Sequence, residues 1–241
     1  MTKANGQASR SGGVKPDVLV FDVNETLIDI ETLSPLFESA FGDKRVLREW
    51  FGQLVTYSMT LTLSGLYKDF FSLGQGLLQM LAEIHGVQLT PVQLAALKEG
   101  MMTMPAHADC GPGLEQLKKS GFRMVTLTNS PPVPGGMSPL ERAGLAGFFE
   151  RQFTVEAARS FKPAQVVYHM VAQELDVPCA SCCMVAAHVW DTIGAQSAGF
   201  AGALVTRPGN APLPVPGLPQ PSVVAQDLGT LAEKMVELWR Q

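Results

Sequence analysis

Four short apolar runs constrain this chain more than any other feature: Val18 to Asp22, Phe122 to Thr128, Cys182 to Ala187 and Ala201 to Thr206. Each is near-continuously apolar, without the apolar–polar alternation of a strand that keeps one face in water. Such runs belong to strands covered by helices on both faces, as in parallel sheets. Stretches with helical spacing lie beside them: Gly113 to Ser120 before the second run, Lys162 to Leu175 before the third, and Thr192 to Ala198 after it, stopped by Gly199. A last helix is predicted over Leu228 to Trp239. Strands alternating with helices predict an α/β fold, a Rossmann-like parallel sheet flanked by helices.

Between the first and second runs lie about 90 residues with no comparable strand signal, far more than a crossover needs. From about Glu31 to Ala108 the spacing of Leu, Phe, Met and Trp is helical, as in Leu47, Trp50, Phe51, Leu54 and Val55. The expected organisation is therefore a core of 15–30 plus 109–241, a helical cap subdomain of 31–108 inserted into it, and a disordered tail of 1–14. Ligands of such sheets bind at the carboxyl ends of the strands, so an insertion leaving from that edge makes a natural lid. Met101, Met102 and Met104, with the aromatic residues, are expected to form the core of the lid. Arg207 to Pro221, rich in Pro and Gly, reads as a surface loop.

The bulk numbers narrow the function. A chain of 241 residues with 46% hydrophobic content can bury a full core. The net charge is −4, from 18 basic and 22 acidic residues, with no basic block to neutralise a row of phosphates, so nucleic acid is not an expected partner. Met1 to Val14 lacks the apolar stretch of a signal peptide, and no segment reaches the ~18 apolar residues of a membrane helix. A cytoplasmic protein without membrane contact is expected; the apolar material of the cap leaves a homodimer open. Cys179 and Cys182 have Cys-x-x-Cys spacing, but no second pair completes a zinc set. With Cys183 they fall in or beside an apolar run, and together with Cys110 they read as core thiols in a reducing compartment.

Four segments bring chemistry to strand ends and helix starts: Phe21-Asp22-Val23-Asn24-Glu25-Thr26-Leu27, Leu127-Thr128-Asn129-Ser130, Phe161-Lys162-Pro163, and Val185-Ala186-Ala187-His188-Val189-Trp190-Asp191. Singly, each has a bland reading: an Asp or Asn after a strand is usually a turn or cap residue. Gathered at one sheet edge, they place an Asp, a Thr/Asn pair, a Lys and a second Asp around one pocket. A carboxylate is ionised at neutral pH and can attack carbon or phosphorus without a general base.

This order of motifs resembles the haloacid dehalogenase superfamily, and within it the type II (S)-2-haloacid dehalogenases. The resemblance runs from Val18 through the last helix and rests on Phe-Asp-x-x-x-Thr-Leu at 21–27, Leu-Thr-Asn at 127–129, Phe-Lys-Pro-x-x-x-x-Tyr at 161–168 and Trp-Asp-x-x-Gly-Ala at 190–195. It implies a hydrolase that dehalogenates a short 2-haloalkanoic acid through an ester on Asp22. Lys162 would hold Asp22 ionised and aimed, Asp191 would position or activate the hydrolytic water, and Thr128 and Asn129 would donate hydrogen bonds to substrate carboxylate or halide. Asn24, Phe51, Tyr168 and His188 are the expected substrate-pocket residues. No cofactor or metal is implied.

Two alternatives stand beside this one. The first is a phosphatase or phosphonate hydrolase using Asp22 and Asp191 around Mg²⁺: most of the superfamily resembles Mg²⁺-dependent phosphatases, whose first motif has a second Asp two residues after the nucleophile to protonate the leaving alcohol. Here that place is Asn24, and an amide is no acid; Glu25 remains as a spare carboxylate. A catalytically weakened binding relative is the other alternative. It is suggested by Phe51 at the place of the family's cap Arg, and by Ala186-Ala187-His188 where the family has Ser-Ser-Asn. Arg45 and Arg48 are near that Arg in sequence. His188 either assists water or halide release, or fills the Asn pocket and bonds backbone.

Overall fold

The computed structural model describes residues 15–133 and 135–239; the tail expected over 1–14 lies outside them. Among the described residues, six strands form one sheet: β1 (Val18–Phe21), β2 (Arg123–Thr128), β3 (Arg151–Thr154), β4 (Cys182–Ala186), β5 (Ala201–Val205) and β6 (Val223–Ala225). Their order is β3-β2-β1-β4-β5-β6, and every neighbouring pair is parallel. The helices are α1 (Ser34–Phe41), α2 (Val46–Leu63), α3 (Phe70–Ile84), α4 (Pro91–Thr103), α5 (Cys110–Lys119), α6 (Pro139–Arg142), α7 (Gln165–Glu174), α8 (Val189–Ser197) and α9 (Leu228–Leu238). The α/β parallel sheet expected from the four apolar runs is present.

Both faces of the sheet are covered, which explains why the central strands read as unbroken apolar runs. Val18, Val20, Val125, Leu127, Met184 and Ala186 pack toward α7 and the helices that follow β1. Leu19, Phe21, Met124, Cys183, Val185 and Ala203 pack on the other face toward α5 and α9. All four residues of β1 are 0% exposed. The edge strands β3 and β6 carry no such run. Two of the four residues of β3 are exposed, and β6 has three residues, so neither gives a sequence signal. Cys110, Cys182 and Cys183 are buried and Cys179 partly so, all free thiols.

Helices α1 to α4 all lie between β1 and β2. In this insertion the Trp50 indole Nε1 donates to the Gly74 carbonyl at 2.9 Å. A Cβ on Gly74 would sit 3.1 Å from the Trp50 ring, so this glycine lets α2 and α3 approach. The chain leaves β1 through a tight turn in which Leu27 and Ile28 donate to the Val23 carbonyl, with Glu25 in the left-handed region at φ 67°. Ile28 then bridges Ala106 antiparallel, so entry and exit of the insertion run side by side. Arg207, 5% exposed, clasps both: its guanidinium donates to the Thr26 carbonyl at 3.0 and 3.1 Å and to both Asp109 oxygens at 2.8 Å.

Two sequence expectations need correction. The helix predicted before the third apolar run does not start at Lys162; α7 begins at Gln165. Lys162 precedes Pro163, and a residue before proline is pushed out of the helical region. Met101, Met102 and Met104 are only partly buried: Met101 and Met104 pack against the apolar core, but all three line a cavity beneath α4, so they stand at its edge and not at its centre. No helix among the described residues is long and apolar enough to cross a membrane.

Candidate active site

The sheet order reverses between β1 and β4, since the chain builds outward from β1 to β2 and β3 and then crosses to β4, β5 and β6. Sheets of this kind hold ligands at such a switch point, outside the carboxyl ends of the strands. Asp22 is the first residue past β1, and its backbone N–H still donates to the Val185 carbonyl of β4 at 3.0 Å. Asp191 lies in the first turn of α8, where the unpaired N–H groups favour a negative charge. Thr128 and Asn129 stand at the end of β2.

Lys162 joins these ends. Its ammonium donates to Asp22 Oδ1 at 2.8 Å, to Asp191 Oδ2 at 2.6 Å and to the Leu127 carbonyl at 2.9 Å. The Asn129 side-chain oxygen accepts from the Lys162 backbone N–H at 3.0 Å and so fixes the segment. Gly194 of α8 fits against Pro163 so closely that a Cβ there would come within 2.4 Å of the proline ring. The second oxygen of each carboxylate is also held: the Thr26 hydroxyl donates to Asp22 Oδ2 at 2.6 Å, and Tyr168 donates to Asp191 Oδ1 at 2.6 Å. Thr26 in turn accepts from the Ala187 N–H at 2.8 Å.

Burial sets the electrostatics. It would raise the Asp22 carboxyl, but Lys162 and His188 outweigh it and hold Asp22 well below the usual carboxylate range. Burial would lower Lys162, yet Asp191 and Asp22 raise it, so the ammonium stays charged. Asp191 moves upward, because complete burial and the nearby Asp22 charge exceed the pull of Lys162. Tyr168 is pushed well up by burial and by Asp191, and remains a neutral donor.

A second cation sits on the other side of Asp22. The His188 ring, 6% exposed, has Nδ1 3.5 Å from Asp22 Oδ2 and Nε2 2.7 Å from Glu25 Oε2. The first distance is an ionic contact, and Nδ1 has no hydrogen-bond partner of its own. Burial would lower the imidazole, but Asp22 and Glu25 push it to about 9, so it is a cation at neutral pH. Its ring stacks on Trp190 at 5.1 Å and packs against Phe51 at 5.5 Å. Glu25 is 2% exposed and is held by an Arg48 guanidinium, by Asn210 at 2.9 Å and by His188. Arg48 also pairs with Glu31 and donates to the Pro208 carbonyl at 2.9 Å.

The structure thus gathers Asp22, Lys162, Asp191, Asn129, Tyr168 and His188 in one buried network. Tyr168 is 0% exposed and sits behind Asp191, so it holds a carboxylate and does not line the cavity. Thr128 lines a recess that adjoins the cavity under the inserted helices through Asn24 and Ser130, and its hydroxyl accepts from the Ser130 N–H at 3.1 Å. Asn24 and Phe51 line the large cavity under the inserted helices, where the Asn24 amide donates to the Ser130 hydroxyl at 2.9 Å. Sequence reasoning gave Thr26, Arg48 and Asn210 no role and treated Glu25 as spare. Thr26 was legible from its spacing, four residues after Asp22 at the same strand end; Asn210 in the Pro-rich loop had no local signal.

Asp22 thus stands at the switch point of this sheet, paired with a lysine that also holds a second Asp, below a helical segment inserted between β1 and β2. Residues 16–199 match the haloacid dehalogenase-like hydrolase family, and the chain belongs to it. Within the family, it is 26% identical over 197 residues to (S)-2-haloacid dehalogenase H-109 of Pseudomonas putida, covering 79% of this chain and 86% of that one. It is 28% identical to (S)-2-haloacid dehalogenase 1 of a Pseudomonas strain, covering 78% and 83%. The solved L-2-haloacid dehalogenase of Xanthobacter autotrophicus, with chloropropionic acid covalently bound, shares the fold with a TM-score of 0.80. That match covers 90% of this chain and 97% of the other at 24% identity.

Proposed function

We propose that this hydrolase removes halide from 2-haloalkanoic acids through an aspartyl ester on Asp22, without a metal, and that segment 31–108 is its lid over a core of 15–30 and 109–241. The observation that carries the reading is the Lys162 ammonium shared between Asp22 and Asp191 beside Asn24. Asp22, kept ionised, attacks C2 in line: the Oδ–C2 bond forms as the carbon–halogen bond breaks, and halide leaves with the bonding pair. A water then attacks the Asp22 carbonyl carbon, and Asp191, whose raised proton affinity suits a general base, takes its proton. The 2-hydroxy acid leaves as Asp22 is regenerated. His188, cationic beside Asp22 Oδ2, stabilises the negative charge that develops on that oxygen during hydrolysis.

The same residues do not fit Mg²⁺. A divalent cation needs a set of oxygen ligands, whereas Asp22 is flanked by cations: Lys162 holds the space between Asp22 and Asp191, and His188 lies 3.5 Å from Asp22 Oδ2. Asn24, two residues past Asp22, cannot protonate an alkoxide as a phosphatase requires. Halide needs no proton to leave.

Halide release from 2-chloropropionate, measured beside phosphate release from an aryl phosphate with and without EDTA, tests this reading. EDTA-resistant halide release supports it; EDTA-sensitive phosphate release with no halide overturns it.

A further inference from the structure

Beneath α2, α3 and α4, where the insertion meets the ends of β1 and β2, lies a cavity of about 320 Å³. Its volume falls in the range of small-molecule sites, roughly 300–1,000 Å³. The walls are almost wholly apolar, with Phe51, Leu54, Phe70, Met101 and Met102 prominent. Its two charged lining residues have partners: Asp69 accepts from the Ser72 N–H at 2.8 Å, and the Lys98 ammonium lies 5.8 Å from the Phe71 ring centre.

Two lining residues tie the cavity to the reacting carboxylate. Asn24 follows Asp22 by two residues, and Phe51 packs on the His188 ring that faces Asp22 Oδ2. Asp22 itself does not line the cavity, so these two residues are the wall between it and the apolar space, the side from which a C2 substituent would enter. A three-carbon haloacid has six non-hydrogen atoms and offers one methyl group, far too little to fill it. Met101 and Met102 suit a variable occupant, because unbranched thioether side chains repack around different shapes.

We propose that the cavity binds the C2 substituent and that the preferred substrates are 2-haloacids bearing an extended apolar group of about four carbons or more, not two- or three-carbon acids. This rests on the dehalogenase reading of Asp22. Halide release is measured with the full chain on 2-chloropropionate, 2-chlorobutanoate and 2-chlorohexanoate. Moving one methylene from water into an apolar site raises kcat/KM about fourfold, so the hexanoate should exceed the propionate about fifty-fold. Met102→Trp, which fills the space, should shrink that ratio at least tenfold, and Met101→Phe should shrink it less. A flat or falling series overturns the cavity assignment and leaves dehalogenation standing.

A second readout does not depend on the chemistry: the rise in Tm caused by propionate, butanoate and hexanoate, none of which can react. A rise that grows with chain length supports the assignment even where no halide is released, the result that sinks the dehalogenase reading alone. A rise independent of chain length overturns the cavity assignment.

Discussion

Replacing His188 by Asn, the residue that the type II pattern has at this place, separates the imidazolium from everything else at the site. The folded-state value near 9 stands above the ordinary 6.5, since Asp22 and Glu25 together outweigh burial. A group raised on folding contributes stability that is fully present below its unfolded pKa and lost as pH rises through its folded one. The window is therefore about pH 6.5 to 9. Each pKa unit is about 1.4 kcal/mol, so the contribution at low pH is about 3 kcal/mol, nearly all of it gone by about pH 9. Asp22 and Glu25, which face the ring, are held low, and Lys162 and Tyr168 are raised; Asp191, also raised, is common to both proteins and drops out of the comparison. The buried thiols Cys110 and Cys182, pushed up to about 12, add a pH dependence only above about pH 9, and the variant shares it. Urea unfolding at about pH 6 and about pH 9 should show wild type losing about 3 kcal/mol more than His188→Asn. The same ionisation should appear in catalysis as a fall in kcat/KM with an apparent pKa near 9, absent from the variant. Equal pH slopes for the two proteins would refute a His188 cation.

Three further perturbations probe the rest of the network. Lys162→Met strips the shared cation from two buried carboxylates and should cost about 3–5 kcal/mol in urea unfolding and abolish turnover; adding Asp191→Asn should recover much of the stability but no activity, and a Lys162→Met protein as stable as wild type contradicts the pairing. Gly194→Ala should destabilise by about 1–3 kcal/mol through overpacking against Pro163 and lower kcat by shifting Lys162; normal values of both would show that the Pro163 seat is not as tight as its 2.4 Å Cβ approach implies. Asp191→Ala incubated with 2-chloropropionate should accumulate a mass adduct on the peptide containing Asp22, and an adduct that never appears removes Asp191 from the hydrolytic step.

How much of this was legible depended on whether a residue's environment is set locally. The central strands were readable because burial on both faces forces apolar residues at every position, and Asp22, Thr128 and Asp191 could be placed because they fall where those runs stop. β3 escaped because an edge strand keeps one side in water; Arg151 there pairs with Glu174 at 3.1 Å and leans over Phe153. The helix before β4 starts three residues later than its spacing suggests, because Pro163 pushes Lys162 out of the helical region. The Glu25–His188 and Glu25–Arg48 pairs join positions 163 and 23 residues apart, and no local pattern announces them. Glu25 reaches both partners from a left-handed turn at φ 67°, a conformation usually marked by Gly or Asn and here adopted by a Glu.

The departures from the type II pattern fit one physical arrangement. On α2, Phe51 faces the cavity, and Arg48 is engaged by Glu25 and Glu31. The second cation beside Asp22 comes from the core side, as His188, whose own counter-charge is the buried Glu25. With positive charge supplied from beneath, the wall contributed by the insertion can be apolar without leaving Asp22 short of a cation. The proposed division of labour follows: the core sets the charge at the reacting atoms, and the insertion sets the size of the C2 substituent. The two should separate under mutation. Met102→Trp should change the dependence on chain length while keeping an apparent pKa near 9, and His188→Asn should remove that pKa while keeping the preference for the longer acid. If either variant moves both properties together, charge and size are read by one set of contacts, and the division is wrong.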